Sequence, residues 1–103
     1  MKLLIADDEP LARERLKSLV ADINSSIEVA QASNGLEVLQ QVSDFNPDII
    51  LLDIRMPEMD GIEAAQHLST LENPPAIIFT TAYDQYTFEA LDAQAIAYLL
   101  KPI

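Results

Sequence analysis

The chain has no cysteine and no tryptophan, two glycines, and six basic residues among 103. Without cysteine there is neither a disulfide framework nor a thiolate metal site. Gly35 and Gly61 stand alone, so neither a glycine-rich phosphate loop nor a dinucleotide fingerprint can be assembled. Six Lys and Arg against seventeen Asp and Glu leave a formal charge of −11. That balance excludes a grip on a phosphate backbone, which needs clustered cations, and no direct nucleic-acid binding is expected of this segment. The one basic grouping, Arg13-Glu14-Arg15-Leu16-Lys17, lies among acids in a helical stretch and reads as a solvated face. Long apolar runs are missing as well: charges or turn residues interrupt each one well short of the about 20 residues a bilayer requires. The first run, Leu3-Leu4-Ile5-Ala6, is too short for a signal peptide, so a cytoplasmic protein without membrane contact is expected.

What is present is apolar content of 50%, enough for one core in one small domain. Short apolar runs alternate with amphipathic stretches along the whole length. Leu3-Leu4-Ile5-Ala6 reads as a strand buried on both faces. Pro10 suits a first helical turn, and Ala12, Leu16, Leu19, Val20 and Ile23 follow at helical spacing, predicting a helix over residues 10–22. A second strand is expected over 27–32, then a helix capped by Asn34 that turns Leu36, Leu39 and Val42 inward and ends near Asn46-Pro47. Residues 48–53 form the clearest buried strand. A helix over about 61–71 carries Ala64, Leu68 and Leu71 on one stripe before Pro74-Pro75 stops it. Strands at 76–80 and 96–100 flank a short helix at 84–92. This alternation predicts an α/β fold, a three-layer doubly wound parallel sheet of five strands, with its site beyond the carboxyl ends of the strands.

Chemistry-bearing residues do fall there. Asp7-Asp8 end the first strand, Asp53 the third, Thr80-Thr81 the fourth and Lys101-Pro102 the fifth. If the first and third strands are neighbours, three carboxylates converge, and bare they would repel until one held a proton. A hard divalent cation such as Mg²⁺ would remove that conflict. One carboxylate could then act as a nucleophile toward phosphorus, with Lys101 as fixed cation and Thr81 as hydroxyl donor. Each residue also has a plainer role open to it. Asp53 could be a turn residue, Asp7-Asp8-Glu9 could complement a helix dipole, Thr81 could punctuate a strand, and Lys101 could be a surface lysine. On periodicity alone Tyr98 is core. His67, the single histidine, reads as solvent-facing.

Taken together these residues resemble the receiver family of CheY-like response regulators over the whole chain. The segment from Asp53 to Gly61 is similar to that family's D-x-x-M-P-x-M-D-G phosphoacceptor segment. Asp7-Asp8 resembles its acidic pair, Thr81-Ala82 its hydroxyl-bearing pair, and Lys101-Pro102 its Lys-Pro. The resemblance implies a flavodoxin-like strand order of 2-1-3-4-5 and Asp53 as phosphoacceptor. It also implies Mg²⁺ or Mn²⁺ held by Asp8, Asp53 and the Arg55 carbonyl, with Asp7 acting through a bound water. Lys101 would pair with phosphoryl oxygens across a cis peptide to Pro102, and Thr81 and Tyr98 would form the switch. A sensor histidine kinase would be the donor. The wording of Asp7-Asp8-Glu9-Pro10-Leu11-Ala12-Arg13 and of residues 81–86 and 98–103 is similar to regulators with a LytTR-type DNA-binding output domain, so transcription regulation through that further domain is implied.

Such domains normally continue into a fifth helix, and residues 1–103 are expected to be a receiver domain incomplete at its C-terminus. Apolar surface near strands one, four and five would then lack cover, favouring a homodimer there or through the helix-four/strand-five region. The chain is not expected to be an enzyme beyond its own aspartyl phosphorylation and dephosphorylation. Phosphatases of the haloacid-dehalogenase type want a second Asp two residues after the first, where this chain has Arg55.

Overall fold

A computed structural model describes residues 1–81 and 97–101. The elements alternate as the apolar pattern demands: β1 (Lys2–Ala6), α1 (Pro10–Ile23), β2 (Glu28–Ala32), α2 (Gly35–Phe45), β3 (Ile49–Asp53), α3 (Gly61–Leu68), β4 (Ala76–Thr81) and β5 (Ala97–Leu100). The helix expected over 84–92 and the Lys101-Pro102 peptide lie outside the described residues. The strands form one parallel sheet in the order β2-β1-β3-β4-β5, as expected.

Period-two alternation sorts the residues of β1, β3 and β4 between two cores. Leu4, Ala6, Ile50, Leu52, Ile77 and Phe79 face α2 and α3. Leu3, Ile5 and Leu51 face α1 with Leu16, and Val20, Ile49 and Ile78 pack around them. Parallel strands inside such a sheet are apolar at nearly every position, as the central strands β1 and β3 are, whereas the edge strand β2 carries Glu28 and Gln31.

The helix ends follow local chemistry. The Asn34 side chain accepts a hydrogen bond from the Glu37 N–H at 2.8 Å, and Asn46 closes α2 in the left-handed region at φ 53°. α3 ends at Leu68, short of the expected 71. The hydroxyls of Ser69 and Thr70 donate to the carbonyls of Gln66 and His67 at 2.7 Å each, satisfying groups that a further turn would have used.

Four apolar residues expected on helical stripes lie exposed. Leu36 is 51% exposed, because Gly35, Val38 and Val42 form the buried stripe and Leu36 lies about 130° around the helix from its centre. Leu71 falls beyond α3 and is exposed. On α1 only Leu16 is buried, while Leu19 and Ile23 are exposed, Ile23 at 81%. They border an open apolar groove of about 530 Å³, floored by Leu3, Ile49, Leu51 and Ile78 and reaching Leu99.

Candidate functional site

Register builds the site. Ala6 pairs with Leu52 between β1 and β3, so the next residues, Asp7 and Asp53, emerge side by side. The alternation that sends Leu3 and Ile5, and Ile49 and Leu51, toward α1 carries Asp7 and Asp53 to that same side of the sheet. Lys101 follows β5, two residues after Leu99, which pairs with Thr80 beside Asp53.

The three carboxylates of Asp7, Asp8 and Asp53 each place an oxygen within 4.8 Å of the others. Asp7 is 0% exposed and Asp53 6%, whereas Asp8 is exposed. Asp7 is held on every side. Its N–H donates to the Ala32 carbonyl at 3.0 Å. Its Oδ1 accepts from the Glu9 N–H at 2.9 Å, and its Oδ2 accepts from Lys101 Nζ at 2.8 Å. The same ammonium lies 3.4 Å from Asp53 Oδ1. Burial, helped by the Asp7 charge and to a smaller degree by Asp8, pushes the Asp53 carboxyl from 3.8 up to about 6, although Lys101 pulls the other way. Burial draws the Lys101 ammonium downward, but its bonds to Asp7 and Asp53 outweigh it and hold it above the usual lysine value. Lys101 thus sets one ammonium against this cluster of three carboxylates.

The loop after Asp53 is pinned. The Gly61 N–H donates to the Ile54 carbonyl at 2.8 Å, and the Gly35 N–H to the Met59 carbonyl at 2.9 Å. Glu58 sits in the left-handed region at φ 67°, a strained setting for a residue with a side chain. Gly61 is required by contact: a methyl group there would run into the Asp53 carbonyl oxygen. Asp60 caps α3 by accepting from the Glu63 N–H at 2.8 Å. Arg55 and Asp8 line the same open groove of about 670 Å³ along this loop.

Asp7, Asp8, Asp53 and Lys101 are thus brought together, with Arg55 at their edge. Thr81 ends β4 and Tyr98 lies on β5, while the hydroxyl of Thr81 and the ring of Tyr98 lie outside what is described. His67 is exposed as expected. One reading is corrected. Arg13 is not part of a merely solvated face, since its guanidinium turns back to the Asp7 carbonyl at 2.7 Å and to Gln31 Oε1 at 2.9 Å. The available signal was its place six residues after Asp7, one turn into a helix that starts at the acidic pair. Among the described residues no helix is long and apolar enough to cross a membrane.

Comparison with known proteins gives a consistent picture. Residues 3–103 match the family described as response regulator receiver domain. The positive alginate biosynthesis regulatory protein of Pseudomonas aeruginosa is 49% identical over 104 residues, covering 100% of this chain and 42% of that protein. The sensory transduction protein LytT of Bacillus subtilis is 39% identical over 102 residues, 99% of this chain and 42% of that one. The chain therefore spans about two fifths of the length of such curated relatives. Among solved structures, the response regulatory domain of protein mrkE from Klebsiella pneumoniae superposes with a TM-score of 0.87 at 36% identity, covering 100% of this chain and 84% of that one. The response regulator domain of Thermotoga maritima CheB gives 0.87 at 30% identity, over 99% and 78%.

Proposed function

The chain belongs to the response regulator receiver domain family of two-component systems, and on that premise we propose that Asp53 is its phosphoacceptor. The observation that carries this reading is the convergence of Asp7, Asp8 and Asp53 within 4.8 Å around the single ammonium of Lys101. Asp53 ionises with a pKa of about 6, so at neutral pH it is largely a carboxylate, and a more basic one than a free aspartate. Its oxygen attacks phosphorus of a phosphohistidine on a sensor kinase, or of a small acyl phosphate. The P–O bond to Asp53 forms as the P–N or P–O bond to the donor breaks, and the donor leaves with that electron pair.

The chain's own groups do the rest. Lys101, kept protonated by its two acidic neighbours, lies close enough to Asp53 to pair with an incoming phosphoryl oxygen. The donor set of clustered carboxylates fits a hard divalent cation, Mg²⁺ or Mn²⁺, which when bound neutralises oxygen charge at phosphorus. Asp8, Asp53 and the Arg55 carbonyl are the groups that would hold it, with Asp7, whose oxygens accept from the Glu9 N–H and Lys101, acting through water as the family resemblance implies. Thr81 then hydrogen-bonds the phosphoryl group and Tyr98 follows, shifting the surface around β5 between two arrangements.

In this reading the switch works in the cytoplasm and regulates transcription through a LytTR-type DNA-binding output domain; the transcriptional regulatory protein LytR of Staphylococcus aureus, 43% identical over 102 residues, supports the transcriptional part by its name. The receivers pair through the β5 region or the apolar groove beside α1. The deciding experiment is intact mass after incubation with acetyl phosphate, with and without Mg²⁺, for the parent and for Asp53→Asn. A Mg²⁺-dependent phosphoryl adduct absent from the variant is expected. An adduct persisting in Asp53→Asn would overturn the assignment.

A further inference from the structure

Arg13 stands one turn into α1, but its guanidinium points back at the sheet. Nη1 donates to the Asp7 carbonyl at 2.7 Å and Nε to Gln31 Oε1 at 2.9 Å. Gln31 lies on β2 opposite Ile5 of β1, and its own amide donates onward to Glu14 Oε1 at 3.3 Å. A planar fork held at two points has little freedom left.

The Asp7 carbonyl is one half of the peptide group that joins Asp7 to Asp8, and that group is planar. Fixing the oxygen therefore fixes the plane from which Asp8 leaves the chain. The other polar atoms of Asp7 are already tied to Ala32, Glu9 and Lys101. Arg13 supplies the remaining tie, on the side leading to Asp8, the exposed member of the carboxylate cluster.

We propose that Arg13 is a positioning residue for divalent-cation binding: it holds the Asp7–Asp8 peptide so that the Asp8 carboxylate stays beside Asp53. The proposal rests on reading Asp7, Asp8 and Asp53 as a cation site. It makes a prediction whose sign separates it from simple electrostatics. A guanidinium near a cation site repels the cation, so a residue acting only through charge would weaken binding, and its removal would tighten it. A positioning residue does the reverse, and loss of such outer partners typically weakens metal affinity about 10–100-fold.

The test is calorimetric titration of MgCl₂ into the parent protein and into Arg13→Ala, Arg13→Lys and Gln31→Ala, with circular dichroism in EDTA confirming the fold of each. Arg13→Ala is expected to weaken Mg²⁺ binding about tenfold or more. Arg13→Lys, which keeps the charge and one donor but not the fork, recovers part of the loss. Gln31→Ala removes the second anchor without changing charge and weakens binding in the same direction. A folded Arg13→Ala that binds Mg²⁺ as tightly as the parent, or more tightly, would overturn the proposal. If Arg13→Ala does not fold, an unchanged affinity in Gln31→Ala overturns it instead. A parent protein that binds no Mg²⁺ would overturn both the phosphoacceptor reading and this proposal, and that failure shows in the parent rather than in the variants alone.

Discussion

Replacing Asp53 by Asn should stabilise the metal-free protein at neutral pH, even though it removes the proposed phosphoacceptor. Burial and the neighbouring acids raise the Asp53 carboxyl from 3.8 to about 6. At about 1.4 kcal/mol per tenfold change, ionising it in the folded chain costs roughly 3 kcal/mol more than in the unfolded one. Solvent at the site mouth and salt reduce that, so about 1–2 kcal/mol is expected. Below about pH 4 Asp53 is protonated in both states and costs nothing. As pH rises toward 6 the unfolded chain has given up the proton while the folded chain still holds it. Folded protein then binds more protons, and stability falls with rising pH until the full cost is present above about pH 6. Asn carries no charge and escapes this. Urea unfolding followed by circular dichroism in EDTA should therefore show Asp53→Asn ahead by about 1–2 kcal/mol at pH 7.5, with the gain fading near pH 4. Added Mg²⁺ should shrink it, because only the parent keeps all three carboxylates for the ion. A variant no more stable than the parent at pH 7.5, or a gain that persists unchanged at pH 4, would refute the reasoning.

Two further perturbations test the site's construction. Lys101→Ala removes the ammonium that bridges the Asp7 and Asp53 carboxylates. It should lower the thermal midpoint in EDTA, leave Mg²⁺ affinity equal or tighter by calorimetry, and abolish the shift of Tyr98 resonances that a phosphoryl mimic induces. Gly61→Ala drives a methyl group into the Asp53 carbonyl and against the Ile54 Cα at 3.0 Å. Backbone on both sides cannot yield cheaply, so a loss of about 1–3 kcal/mol is expected in urea unfolding. Wild-type stability in that variant would mean the loop moves more easily than its hydrogen bonds imply.

Much of the architecture was legible because it rests on periodicity. Continuous apolar runs such as Ile49-Ile50-Leu51-Leu52 suit only strands covered on both faces, and their alternation with amphipathic stretches leaves few alternatives to a parallel doubly wound sheet. Element ends were legible where a residue caps locally, as Asn34 does. They were less so where the cause is a pair of hydroxyls turned back on their own helix, as at Ser69 and Thr70. Leu19, Ile23 and Leu36 misled because helical spacing shows that a face exists, not how much of it another layer reaches.

The sequence by itself determined which groups stand at the strand ends: Asp7, Asp8, Asp53, Thr81 and Lys101 are placed there by strand length alone. Only the tertiary structure decided what they do to one another. Pairing of Ala6 with Leu52 sets Asp7 beside Asp53 across a gap of 46 residues, and β5 returns Lys101 to bond an acid 94 residues earlier. The raised Asp53 carboxyl and the reach of Arg13 from its helix to the Asp7 carbonyl arise from that same closure. Charge and hydrogen bonding act over a few ångströms of space, and the order of residues along a chain carries no such distance until the sheet has formed.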